Sequence, residues 1–136
     1  MTKTQTTRTT ASNHDVAATS AQFLSPIVLD LMALTVNGKQ AHWHVRGPNF
    51  VGVHELFDQL VANAQGFADT AAERIVALGL PVDARLATVA AKSTPTAVPA
   101  GFTKSDAMIA DVIADMDAAI VNVQAAIDGL GEIDQT

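Results

Sequence analysis

Apolar residues recur at helical spacing along three long stretches of this chain, with turn-forming residues between them. The first stretch, 14–45, carries Phe23, Ile27, Leu31, Leu34 and Ala41, the period of one helix face. Ser12 with Asp15 offers a capping box near its start. Pro26 lies inside the pattern, where it either kinks the helix or occupies the first turn with Ser25 as cap. Gly47-Pro48 closes the stretch. The second, 49–78, opens on Asn49 as cap, takes core contacts from Leu56, Leu60, Ile75 and Leu78, and stops at Gly79-Leu80-Pro81. The third, 105–129, is capped by Ser105 and carries an apolar stripe: Met108, Ile109, Val112, Ile113, Met116, Ile120, Val123 and Ile127. Asp111, Asp115 and Asp117 lie off that stripe, and Asp111 with Asp115 reads as a solvated pair. Gly129 and Gly131 end this helix, and Asp134 would cap a further helix beginning at 134–136.

The segments between are just as informative. Residues 80–104 contain Pro81, Pro95 and Pro99 and a short helix, 84–91, capped by Asp83. So long a connection is unusual in a compact domain, and it serves as a crossover that sets the direction of the next helix. Residues 1–13 are Thr-rich and without periodicity, and read as a flexible tail. The expected class is all-α: a four-helix bundle with a short helix in a long crossover, its fourth long helix absent from this chain.

Composition narrows the chemistry. Apolar residues make up 49% of 136 residues, with no Tyr, which suits packed helices in a single domain. There is no cysteine, so disulfides and thiolate metal sites are excluded. A net charge of −6 disfavours coating of nucleic acid by the whole surface and favours cations as partners. No apolar leader precedes the first helix, and Asp30 interrupts the longest apolar run. The expectation is a soluble, cytoplasmic protein without a membrane span.

Four potential metal ligands follow the Gly47-Pro48-Asn49 break: His54, Asp58, Asp69 and Glu73. On one helix at ~100° per residue they share a stripe roughly 100° wide. His54 and Asp58 lie ~6 Å apart along the axis, as do Asp69 and Glu73, but the two pairs are separated by ~16 Å. A metal–ligand bond is only ~2 Å, so one helix cannot wrap both pairs around one ion. Either each pair binds separately, or the pair of one chain meets the other pair of a neighbour. A two-fold axis crossing near Asn63 and Ala64 produces the second arrangement and repeats the site twice per dimer. Phe57, Leu60, Val61, Phe67, Ala68 and Ala72 flank these positions. Acids set in such an apolar stripe need a metal or an ion pair as partner.

The run Lys-Gln-Ala-His-Trp-His-Val-Arg-Gly-Pro-Asn-Phe at 39–50, continued by Val53-His54-Glu55-Leu56-Phe57-Asp58 and by Asp69-x-x-x-Glu73, resembles the Dps family of mini-ferritins. The resemblance extends over about residues 15–134 and is strongest at 37–79. It implies a ferritin-like bundle assembled as a hollow homo-oligomeric shell, usually a dodecamer. It also implies oxidation of ferrous iron, preferably by hydrogen peroxide, with ferric storage inside and protection of DNA. The cofactor implied is iron alone, with no organic group. By position, His42, His54 and Asp58 of one chain and Asp69 and Glu73 of a two-fold partner correspond to the family's ligands. Trp43 matches a Trp beside the site that takes up oxidising equivalents. The chain departs from the family in ending near Asp134, before the last long helix. Its tail also carries only Lys3 and Arg8 as basic residues, which leaves little charge for DNA or for association with the nucleoid.

Two rival classes fit fewer residues. His54-Glu55-Leu56-Phe57-Asp58 resembles a zinc-hydrolase helix with Asp as its last ligand and Glu55 as general base, but a third ligand is not evident. A non-enzymatic DNA coat would rely on the tail, against the acidic balance of the chain.

Overall fold

The computed structural model describes the backbone of residues 2–134 and the side chains of residues 14–132. Its elements, in order, are α1 (Thr2–His44), β1 (Val45–Arg46), α2 (Phe50–Ala77), α3 (Leu86–Lys92), β2 (Thr103–Lys104) and α4 (Ser105–Asp134). The architecture is all-α, three long helices with a short one in the crossover. α1 is the central helix: α2 packs along it, α4 packs on it from another side, and α2 and α4 stand further apart and meet through core side chains. Over His14–His44, α1 is long and apolar enough to cross a bilayer by length and composition alone, yet it serves here as the helix the others pack against.

The core has two parts. At the β1 end, Ala41, Val45, Val53, Phe57, Met108 and Val112 interlock, with Leu60, Ile109 and Met116 against them. Towards the middle, Leu34, Ala64 and Ala119 pack with Leu31 and Met116. Burying a side chain the size of Phe57 or Met108 contributes about 1.5–3 kcal/mol. α1 and α2 approach closely because position 38 is Gly: a Cβ there would lie 2.6 Å from Val61 Cγ2.

Several boundaries differ from those read off the sequence. α1 begins at Thr2 rather than 14, so the backbone is helical through the stretch read as a tail. No Gly or Pro interrupts residues 2–25, so the hydrogen-bond ladder propagates back from the packed part. The Ser12–Asp15 box therefore marks no helix start. Pro26 is interior to α1, and Ser25 does not cap; its hydroxyl donates to the Ala21 carbonyl at 2.8 Å. Asn49 adopts the left-handed conformation (φ 61°) after Gly47 (φ 106°) and makes no side-chain cap bond, because the reversal at 47–49 needs residues that tolerate positive φ. Gly79 does end α2 as expected. Its N–H donates to Val76 and the Leu80 N–H to Ile75, with Gly79 at φ 88°, a Schellman motif.

α3 starts at Leu86, not 84, and the Asp83 carboxylate clamps the Arg85 guanidinium at 2.8 and 2.9 Å instead of capping. Ser105 likewise turns away from its own helix and donates to the Pro48 carbonyl at 2.9 Å. The parallel pairing of β1 with β2, Val45 opposite Thr103 and Arg46 opposite Lys104, has no signature in the sequence; two residues are too few to show a period.

The largest corrections fall on α4. It runs through Gly129 and Gly131 to Asp134, so no new helix opens at 134; positions 135–136 lie outside the described residues. Gly129 is there for contact: a Cβ would sit 2.1 Å from the Phe23 ring. The buried line of α4 is Met108, Val112, Asp115, Ala119 and Ala126, whereas Ile113, Ile120 and Ile127 are exposed. Asp115, expected at the surface, is 1% exposed. Its Oδ1 accepts from the Ala97 N–H at 2.6 Å, and its Oδ2 has no partner. Asp30 on α1 is equally buried. It accepts from the Thr94 N–H, the Thr94 hydroxyl and the Asn122 amide at 2.9, 3.0 and 2.7 Å. Asn37 and Gln40 add bonds to the Pro95 and Ala100 carbonyls. Side chains of α1 and α4 thus satisfy crossover backbone that has no helix or sheet of its own.

Candidate metal centre

Two histidines lock the junction of α1 and α2. His42 Nδ1 lies 2.6 Å from the His54 carbonyl oxygen, and His54 Nδ1 lies 2.6 Å from the His42 carbonyl oxygen. The rings stack with centroids 3.6 Å apart and 16° between planes. A carbonyl oxygen only accepts, so each Nδ1 must carry the proton. The Nε2 of each neutral ring then keeps its lone pair, the form in which imidazole binds metals. The Phe50 ring lies 5.5 Å from the His54 ring, tilted by 36°.

Asp58 follows one turn after His54. His42, His54, Glu55, Asp58, Gln59 and Ala62 line a shallow depression of about 600 Å³. Asp58 forms an ion pair with Lys39 of α1. That ammonium holds the Asp58 carboxyl below the usual carboxylate range. Imidazole nitrogen and carboxylate oxygen without thiolate make a donor set suited to ferrous, manganous or zinc ions.

Asp69 and Glu73 lie on the same helix, further along, and both are exposed. Asp69 borders a separate, mostly apolar cavity of about 570 Å³ with Val28, Met32, Thr35 and Gln65. Among the described residues of one chain, no three His, Asp or Glu side chains converge within reach of one ion. The structure therefore brings His42, His54 and Asp58 to one depression and leaves Asp69 and Glu73 apart from it. Trp43 stands beside His42, 58% exposed.

The acids were expected within an apolar stripe. They lie outside it instead. The buried face of α2 is Val53, Phe57, Val61, Ala64, Ala68 and Ile75; Asp58 and Asp69 lie towards one edge of that face and Glu73 on the side turned away from it, all three in solvent. Leu56 and Phe67, at 54% and 64% exposure, lie at its other edge, so Leu56 is not a core contact. No burial cost forces a partner on these acids within the chain. Sequence reasoning missed Lys39, whose i, i+3 relation to His42 was the signal available.

Comparison with known proteins follows the same residues. The ferritin-like domain family matches residues 22–134. A DNA protection during starvation protein from Brevibacillus brevis is 31% identical over 116 residues, 84% of this chain and 76% of that protein. A second such protein, from Deinococcus radiodurans, is 37% identical over 83 residues, 61% of this chain but only 34% of its own length. Among solved structures, Dps from Microbacterium arborescens in its high iron form superposes with a TM-score of 0.85 at 61% identity, covering 88% of this chain and 78% of that one.

Proposed function

Because the chain belongs to the Dps family of ferritin-like proteins, we propose that it is a ferroxidase that oxidises ferrous iron at a dinuclear site shared between two copies of the chain. The observation that carries the reading is the histidine pair, whose Nδ1 atoms are spent on backbone carbonyls so that Nε2 remains for metal beside Asp58. His42, His54 and Asp58 form one half of the site. Asp69 and Glu73 of an antiparallel copy form the other, since within one helix the halves stand ~16 Å apart. A homo-oligomer is then required for activity, and a closed shell of such dimers, a dodecamer in this reading, stores the product and shields DNA.

Each part of the chemistry falls to a named group. The imidazoles are neutral donors that admit the ferrous ion. The carboxylates of Asp58, Asp69 and Glu73 favour the more highly charged ferric product. With hydrogen peroxide as oxidant, two ferrous ions give up one electron each. The O–O bond breaks, two protons are taken up, and two waters form without release of hydroxyl radical. Trp43, exposed and next to His42 in the chain, takes up a stray oxidising equivalent in this reading.

The test is ferrous oxidation followed by absorbance, with peroxide and with oxygen, on wild type, Asp58→Ala and Glu55→Ala. Fast oxidation with peroxide, lost in Asp58→Ala and kept in Glu55→Ala, is the expected result. An assembled wild type that fails to oxidise iron sinks the proposal. Loss of a hydrolytic activity in Glu55→Ala alone would instead favour the zinc-hydrolase alternative.

A further inference from the structure

Hydrogen peroxide, the oxidant of the proposed reaction, gives an oxygen atom directly to the sulfur of a cysteine or a methionine. This chain has no cysteine and four methionines, so thioethers are its direct acceptors. They are not equivalent. Met108 is fully buried, and Met116 packs against both parts of the core; Met1 lies outside the described residues. Met32, on α1, is half-buried and lines the cavity of about 570 Å³ that also takes in Asp69. The small residues Ala62, Gly66, Ala68 and Ala72 of α2 form much of the rest of that lining and keep it wide. A molecule the size of peroxide that reaches Asp69 through this cavity therefore also reaches Met32.

We propose that Met32 is an oxidation site of the folded protein, which takes an oxygen atom from hydrogen peroxide as a sulfoxide when no ferrous iron stands at Asp69. The inference rests on the ferroxidase reading above, which brings peroxide to this cavity. The step balances. A lone pair of the thioether sulfur attacks one peroxide oxygen. The S–O bond forms as the O–O bond breaks, and with the transfer of a proton the other oxygen leaves as water. The sulfur is oxidised by two electrons and the peroxide is reduced by two. In the antiparallel pair of chains, Trp43 accompanies the His42 half of each shared site, and Met32 of the other copy accompanies the Asp69 half. The indole gives up electrons singly, the thioether in a pair. A sulfoxide-reducing reaction is then needed to restore Met32.

The experiment treats the assembled, metal-free protein with hydrogen peroxide and follows each methionine by peptide mass spectrometry, in buffer and in urea, for wild type and Met32→Leu. In buffer Met32 should gain oxygen about tenfold faster than Met108 and Met116, and in urea, where burial protects none of them, all three should react alike. Met32→Leu conserves volume and should keep ferrous oxidation within about twofold of wild type. Equal rates for Met32 and Met116 in buffer, or a slower Met32, overturn the assignment. Ferrous oxidation by wild type with an inert Met32 overturns this inference and leaves the ferroxidase reading standing. Selective oxidation of Met32 in a wild type that fails to oxidise ferrous iron does the reverse: the ferroxidase reading falls, and Met32 remains a peroxide-reactive site.

Discussion

Asp30 and Asp58 are both aspartates on long helices of the same bundle, and their surroundings give them opposite roles. Asp30 is 1% exposed, and its two oxygens take three hydrogen bonds from Thr94 and Asn122. Asp58 sits at the edge of the buried face of α2, exposed, with one partly solvated counter-ion, Lys39. A carboxylate saturated by fixed donors inside a protein has no oxygen to offer a metal and holds structure. A carboxylate at the solvent edge contributes little to stability and stays available for chemistry. Asp115 stands between them, buried like Asp30 but with a single donor, the Ala97 N–H.

Substitutions can break this contrast in order of size. Asp30→Ala strands the Thr94 N–H, the Thr94 hydroxyl and the Asn122 amide, and should cost about 3 kcal/mol in chemical denaturation; a loss of a few tenths would mean the crossover does not depend on it. Asp115→Ala removes one hydrogen bond together with an unpaired buried oxygen, and should cost about 1 kcal/mol in the same assay. Asp58→Asn should leave the denaturation midpoint unmoved while ferrous oxidation collapses. A shifted midpoint with oxidation intact would reverse the roles assigned to the two kinds of acid.

The smallest effect is one of pH. The Lys39 ammonium depresses the folded-state titration of Asp58 below its ordinary value of 3.8. The contribution of the pair is therefore complete above about pH 4 and disappears as pH falls through the lower folded value. Carbon-13 titration of the Asp58 carboxyl should show a midpoint below 3.8 in wild type and a return to the ordinary range in Lys39→Met. An ordinary midpoint in wild type would mean that the pair does not persist in solution.

Much of this was legible in the residues themselves. The two pairs on α2, His54 with Asp58 and Asp69 with Glu73, the stop at Gly79 and the long crossover follow from spacing and local conformational preference. So does the conclusion that one helix cannot gather His54, Asp58, Asp69 and Glu73 around one ion. Less visible was which acids are buried. Of the apolar stripe read along α4, Met108 and Val112 are buried but Ile113, Ile120 and Ile127 are exposed, and the buried face includes Asp115 and the small residues Ala119 and Ala126 instead. Both faces have helical period, so periodicity could not choose between them.

The sequence alone determined the helical periods, the donor types of the proposed metal centre and their spacing, because these depend on residues within a few positions of one another. Only the tertiary structure decided that Gly129 admits the Phe23 ring rather than ending a helix. It also decided that His42 and His54 fix each other's tautomer and that Lys39 reaches Asp58. Each of these is a contact between different helices or between turns far apart in the chain. The energy of such a contact depends on which surfaces meet, and no local pattern records that.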